Sequence, residues 1–188
     1  MTDLVERVGG SESSPLAAWE PSRLPRVHAN GMTMPVLALA DAAALLPERG
    51  VLLGLDLGAK TIGVAASDPD RRVAAPVETI ARKRFTLDAQ RIFALAAERR
   101  AAGLVLGLPV NMDGSEGPRA QSTRAFARNL ARLTELPIAL WDERLSTAAV
   151  ERALIAADAS RARRKAVIDQ HAAAYILQGA LDRLSRKA

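Results

Sequence analysis

Four acidic residues of this chain stand where a carboxylate is costly, and together they could hold a hard cation against a phosphodiester. Asp56 lies in Gly54-Leu55-Asp56-Leu57-Gly58, a run otherwise apolar enough for a strand buried on both faces. A lone acid there must be paired or bind a cation. Side chains alternate along a strand, so Gly54, Asp56 and Gly58 share one face, and the glycines leave open space around the carboxylate. Asp142 and Glu143 follow Trp141 at the end of a second apolar run. Alternation lets only one of them point toward Asp56, while the other faces away or caps the next helix, and both stay candidates. Asp169 shares a helical face with Ala172, Ala173 and Ile176, an apolar, small-residue side suited to close approach. His171 falls about 200° around the helix from Asp169 and reads as an exposed or packing histidine, not a ligand.

Three neighbouring carboxylates repel one another, which raises their pKa values unless Mg²⁺ or Mn²⁺ converts them into an oxygen cage. Two such ions about 3.5–4 Å apart could activate water and stabilise the leaving oxygen of a phosphodiester. That is hydrolytic nuclease chemistry.

Candidate phosphate contacts surround these acids. The run from Val105 to Pro118 is a buried strand that opens into a loop punctuated by Gly and Pro, with Asn111 within it, and then enters a helix. Open α/β folds place ligands at such a loop, where the following helix presents its first N–H groups to an anion. Arg144 can orient an acid or contact a phosphate. Lys60, in the turn after Asp56, and the run Arg161, Arg163, Arg164 and Lys165, ahead of Asp169, are the further basic candidates. Arg82-Lys83-Arg84 is a second basic run, weaker as a candidate because charge runs usually form solvated faces. The net charge of +5 favours a polyanionic partner. Aromatic content of only 3% argues against base stacking and for contacts to shape and backbone.

The elements that must position these residues follow from periodicity. At 188 residues and 49% hydrophobic content the chain holds one domain with an appendage. Residues 1–32 read as a flexible tail, and 33–50 as an accessory helix, over 35–46, and a linker. Within 51–188, strand-like runs at 51–57, 61–67 and 72–80 predict an antiparallel meander. A helix at 86–101, a strand at 104–108, a helix at 118–133 and a strand at 138–141 then imply parallel crossovers. Helices at 147–157 and 165–186 complete a mixed five-stranded α/β sheet flanked by helices. The absence of cysteine suits a reducing cytosol and excludes thiolate metal sites. Nothing in the sequence reads as a membrane span or a secretory signal, so a soluble cytoplasmic protein is expected.

Four motifs, GLDLGAKTIGVAASD, GLPVNMDGSEG, DERLST and DQHAAAYILQ, occur in this order over roughly residues 52–184. In them the chain resembles the YqgF/RuvX family, Holliday-junction-resolvase-like nucleases associated with maturation of pre-16S rRNA. The resemblance implies an RNase H-like fold and a divalent-metal site, with the acids falling on Asp56, on Asp142 or Glu143, and on Asp169. It implies a nucleic acid substrate, either structured RNA such as pre-16S rRNA or branched DNA; a monomer or weak homodimer is expected. Resolvases of the wider superfamily carry an acid on the strand that here ends in Gly107-Leu108-Pro109, so the second ligand must come from the neighbouring strand or, as the lesser alternative, from Asp113. A non-catalytic RNA-binding assembly factor is the rival reading. An ATPase of the actin-like class is disfavoured because the chain lacks room for a second related domain.

Overall fold

The computed structural model of the chain describes residues 35–145 and 161–186, and the side chains among them except those of 145 and 161–170. Its elements are β1 (Val36–Ala38), α1 (Leu39–Ala42), β2 (Leu52–Leu57), β3 (Thr61–Ser67), β4 (Ala74–Ala81), α2 (Phe85–Glu98), β5 (Gly103–Leu108), α3 (Pro118–Ala131), β6 (Ile138–Asp142), a 3-10 turn (Glu143–Leu145) and α4 (Arg161–Ser185). The expected tail at 1–32 and helix at 147–157 lie outside the described residues. The strands form one sheet in the order β1-β6-β5-β2-β3-β4. β2, β3 and β4 pair antiparallel, and β2 with β5, β5 with β6 and β6 with β1 pair parallel. A meander feeding two parallel crossovers is the mixed arrangement that periodicity predicts and matches the RNase H-like fold that the resemblance implies, with six strands in place of five.

The extra strand comes from the segment expected to be one accessory helix. Its alanines favour helix, yet Val36, Leu37 and Ala38 extend and take the open edge of β6, in register with Ile138, Ala139 and Leu140. Only Leu39–Ala42 coil into a helix. Pairing with an unsatisfied strand edge and burial of Leu39 and Ala42 outweigh propensity here. β4 starts two residues later than predicted because the Asp68 carboxylate accepts the N–H groups of Arg72 and Val73, at 2.7 and 2.8 Å, and holds them in the turn. α2 stops at Glu98, short of the predicted end, where Arg100 turns into the left-handed region at φ 50°.

Two cores lie on opposite faces of the sheet. α2 and α3 cover the face that carries Leu53, Leu55, Leu104, Leu106, Ile138 and Leu140. The other face carries Leu52, Val105, Ala139 and Trp141 and packs against Ala173, Ile176 and Leu177 of α4. α4 approaches closely because Gly54 has no side chain: a Cβ there would lie 2.6 Å from the Leu177 Cβ and 3.0 Å from the Ala173 carbonyl oxygen. At the far end Gln178 Oε1 accepts the N–H of Ala74 at 2.9 Å, and its Nε2 donates to the Arg72 carbonyl at 3.1 Å. α4 is thereby fixed in angle and in height across β2, β3, β4 and β5. Among the described residues no helix is long and apolar enough to cross a membrane.

Candidate active site

Alternation along β2 assigns Asp56 to the α4 face, the face of Leu52 and Gly54. It is half-buried at the carboxyl end of the strand, opposite Gly63 of β3. β5 runs beside β2 with Leu55 against Leu106, so one step further brings Asp56 alongside Gly107, at the usual strand spacing of about 4.8 Å. Gly107 in turn pairs with Trp141 of β6.

The choice between Asp142 and Glu143 is decided at this point of the sheet. Trp141 belongs to the α4 face, so Asp142 projects to the opposite side and the next position returns. The chain leaves the strand in a 3-10 turn, and Glu143 folds back over β5. Its Oε1 lies 2.6 Å from where a Cβ on Gly107 would stand. The Glu143 carboxylate thus takes the place that a side chain on β5 would occupy beside Asp56. Asp142 is engaged elsewhere: its Oδ2 accepts Arg144 Nη2 at 2.6 Å and its Oδ1 accepts the Arg144 backbone N–H at 3.0 Å. The Arg144 guanidinium holds the Asp142 carboxyl below the usual carboxylate range.

The third acid reaches the same level through the helix. Ala172, Ala173 and Ile176, the residues sharing Asp169's face by spacing, are all buried against the sheet. The Ala173 carbonyl faces Gly54, and four residues of helix span about 6 Å, close to the ~6.6 Å between Gly54 and Asp56 along β2. The backbone of Asp169 therefore comes level with Asp56; its side chain, like those of Arg161, Arg163, Arg164 and Lys165 earlier on α4, lies outside the described residues. Among the described residues no group of three or more His, Cys, Asp or Glu could hold a metal ion. Asp56 and Glu143 supply two of the three expected acids, and both take part in further polar interactions. His171 is half-buried and engaged as well.

Beside Glu143 an open cleft of ≈ 390 Å³ is lined by Pro109, Asn111, Gly117, Arg119, Glu143 and Arg144, among others. Its loop is internally braced. Asp113 Oδ1 accepts the Ser115 N–H at 2.8 Å and its Oγ at 2.6 Å, bonds that lower the Asp113 pKa. Asn111 Nδ2 donates to Ser115 Oγ at 2.9 Å. Gly114 turns the chain at φ 87°, a conformation that glycine adopts without strain. Arg144 Nη1 reaches the Met112 carbonyl at 3.4 Å, tying the loop to the end of β6. Glu116 pairs with Arg124 at 2.5 Å, which lowers its pKa. Lys60 is exposed at the tip of the β2–β3 hairpin.

Two residues that shape this edge escape a sequence reading. Gly107 is a small residue in an otherwise Leu and Val strand, a signal that something must pass over it without saying what. Arg82 is indistinguishable in sequence from Lys83 and Arg84, yet its Nη1 donates to the Gly58 carbonyl at 2.6 Å and its guanidinium carbon stands 5.9 Å over the Phe126 ring.

The strand order, an antiparallel meander continued by two parallel strands, is that of an RNase H-like fold. The family model for RuvX, described as Holliday junction resolvase, matches residues 50–183, and the chain belongs to that family. A protein of Rhodopseudomonas palustris strain BisB5 is 75% identical over 153 residues, covering 81% of this chain and 96% of its own. Another from strain TIE-1 is 77% identical over 150 residues, covering 80% and 94%. Both carry the name "Putative pre-16S rRNA nuclease". A solved structure, T. thermophilus RuvC in complex with Holliday junction substrate, aligns with TM-score 0.46 and 12% identity over 74% of this chain and 98% of that one.

Proposed function

We propose that this chain is a divalent-metal-dependent nuclease that hydrolyses phosphodiester bonds in the 5′-end maturation of pre-16S rRNA, in the cytoplasm, with residues 51–188 as the nuclease domain. The observation that carries the reading is the placement of the Glu143 carboxylate over Gly107, the β5 residue that neighbours Asp56 in the sheet. The names of the relatives, at 75% and 77% identity, support the rRNA substrate.

The residues suit Mg²⁺ or Mn²⁺. The donors are hard carboxylate oxygens, and the absent side chain of Gly107 leaves room for one of them, on Glu143, beside the strand position next to Asp56. Asp56, Glu143 and Asp169 would hold the ion, with Asp142 set aside as the partner of Arg144. When bound, such an ion lowers the pKa of water and offsets charge on the leaving oxygen. The chain's own part is to place the phosphate. Arg144, held in a fixed fork by Asp142, and Asn111 present donors at the cleft, while Lys60 and Arg161, Arg163, Arg164 and Lys165 contact backbone on either side.

Asp56→Asn tests the reading. It is expected to abolish Mg²⁺- or Mn²⁺-dependent cleavage of a precursor 16S fragment, with the far-UV circular dichroism and the RNA affinity in EDTA unchanged. Cleavage that persists in the variant rejects the assignment. Wild-type protein that retains RNA yet releases no product at any divalent ion concentration would make it an assembly factor, and preferential cleavage of a four-way DNA junction would replace the RNA substrate.

A further inference from the structure

We propose that Lys83, Arg84 and Arg119 form a phosphate-holding rim on the α2 and α3 side of the carboxyl edge, over which the substrate polynucleotide lies by its backbone. The inference rests on the nuclease reading and extends it to where the bound strand runs. Topology places the three together. β2, β4 and β5 point the same way, so the β4–α2 connection with Lys83 and Arg84 and the first turn of α3 with Arg119 both stand at the edge where Asp56 ends its strand. Arg119 lines the cleft that Glu143 also lines. It precedes Phe126 by seven residues, nearly the same helical face and about 10 Å along α3, and Phe126 is the ring beneath Arg82 and against Phe85.

The rim has a braced backbone beneath exposed side chains. The Arg82 N–H donates to the Lys60 carbonyl at 2.9 Å, and the Lys83 N–H donates to Oδ1 of Asp88, a carboxylate only 3% exposed. Phe85 packs edge-on against Phe126 at 5.4 Å. The backbone from 82 to 85 is thus fixed, while the Lys83 and Arg84 side chains are exposed. Charge separates these cations from their neighbours. Nearby acids are already engaged, Asp142 by Arg144, Glu116 by Arg124 and Asp113 by Ser115. Among the described residues Lys83, Arg84 and Arg119 form no ion pair, and no aromatic ring is exposed. Unpaired cations without stacking platforms fit phosphates, not bases.

The test measures binding in EDTA, by fluorescence anisotropy, to a labelled precursor-16S hairpin and to a four-way DNA junction across a salt series. The triple variant Lys83→Gln, Arg84→Gln, Arg119→Gln is compared with Arg99→Gln, Arg128→Gln, Arg132→Gln. The second set removes the same charge from exposed sites at the opposite ends of α2 and α3. Loss of three phosphate contacts should weaken binding of both probes at least about tenfold and flatten the log–log salt slope by about 2–3, with the control within about twofold of wild type. Equal weakening by both sets would reduce the effect to net charge and overturn the rim. A rim variant that binds like the control, from a wild type that binds and cleaves, would overturn the rim alone. Wild type that binds neither probe would overturn the rim and the nuclease reading together.

Discussion

The rim beside the cleft and the α4 face of the sheet treat acids in opposite ways. On that rim, in the 109–117 loop and at the end of β6, three carboxylates meet a partner within a few residues of sequence: Asp113 with Ser115, Asp142 with Arg144, Glu116 with Arg124. Under α4, Asp56 and Glu143 come from positions 87 residues apart and are brought near each other because β5 lies between β2 and β6 and offers a glycine. Local pairing stiffens a loop. The proposed site is assembled across strands and exists only in the folded chain, and the adjacent residues Asp142 and Glu143 fall on opposite sides of that divide.

The comparison breaks first at its acids. Glu143→Gln is expected to lower cleavage by at least about a thousandfold, as is Asp56→Asn, because members of one catalytic unit fail together. Asp142→Asn should retain at least about a tenth of wild-type turnover. Single-turnover cleavage of the precursor fragment distinguishes the three, and equal loss in all of them would erase the distinction between rim and face.

The next effect concerns Gly107. Gly107→Ala places a Cβ 2.6 Å from Glu143 Oε1 and 2.6 Å from Ile176 Cδ1. It should destabilise by about 1–3 kcal/mol through overpacking and weaken Mn²⁺ binding about 10- to 100-fold by displacing Glu143. Adding Ile176→Val removes the second clash alone. The double variant should regain much of its thermal stability and little of its Mn²⁺ affinity by calorimetry; recovery of both would show that packing, not Glu143, is what the glycine serves.

The smallest effect is the acid limb of stability. Arg144 holds the Asp142 carboxyl below its ordinary value of 3.8 in the fold. Its contribution is therefore complete above the unfolded value and is lost as pH falls through the folded one. Urea midpoints between pH 5 and 2 should fall less steeply in Asp142→Asn than in wild type, and parallel curves would show that the pair contributes nothing to acid stability.

Much of this is legible in the sequence. Alternation and turn residues around Asp56 give the meander, and the strand–helix–strand spacing from Gly103 onward gives the parallel half. The choice between Asp142 and Glu143 was not legible, because strand alternation ends with the strand and the 3-10 turn that folds Glu143 back is set by tertiary packing. β1 was hidden for a related reason: three apolar residues have no period of their own, and the vacant edge of β6 makes them a strand. Gly107 reads in sequence as a missing acid and in the fold as the room that Glu143 occupies.

Gln178 has a role that reaches beyond its own end of the sheet. Its amide bonds the backbone on both sides of Val73, so a slip of α4 by one residue, about 1.5 Å, would break both bonds. Nine residues upstream, about 13 Å along the axis, the same slip would carry Asp169 out of line with Asp56. The helix behaves as a stiff ruler clamped at one end, and the amide at the clamp sets the reading at the other.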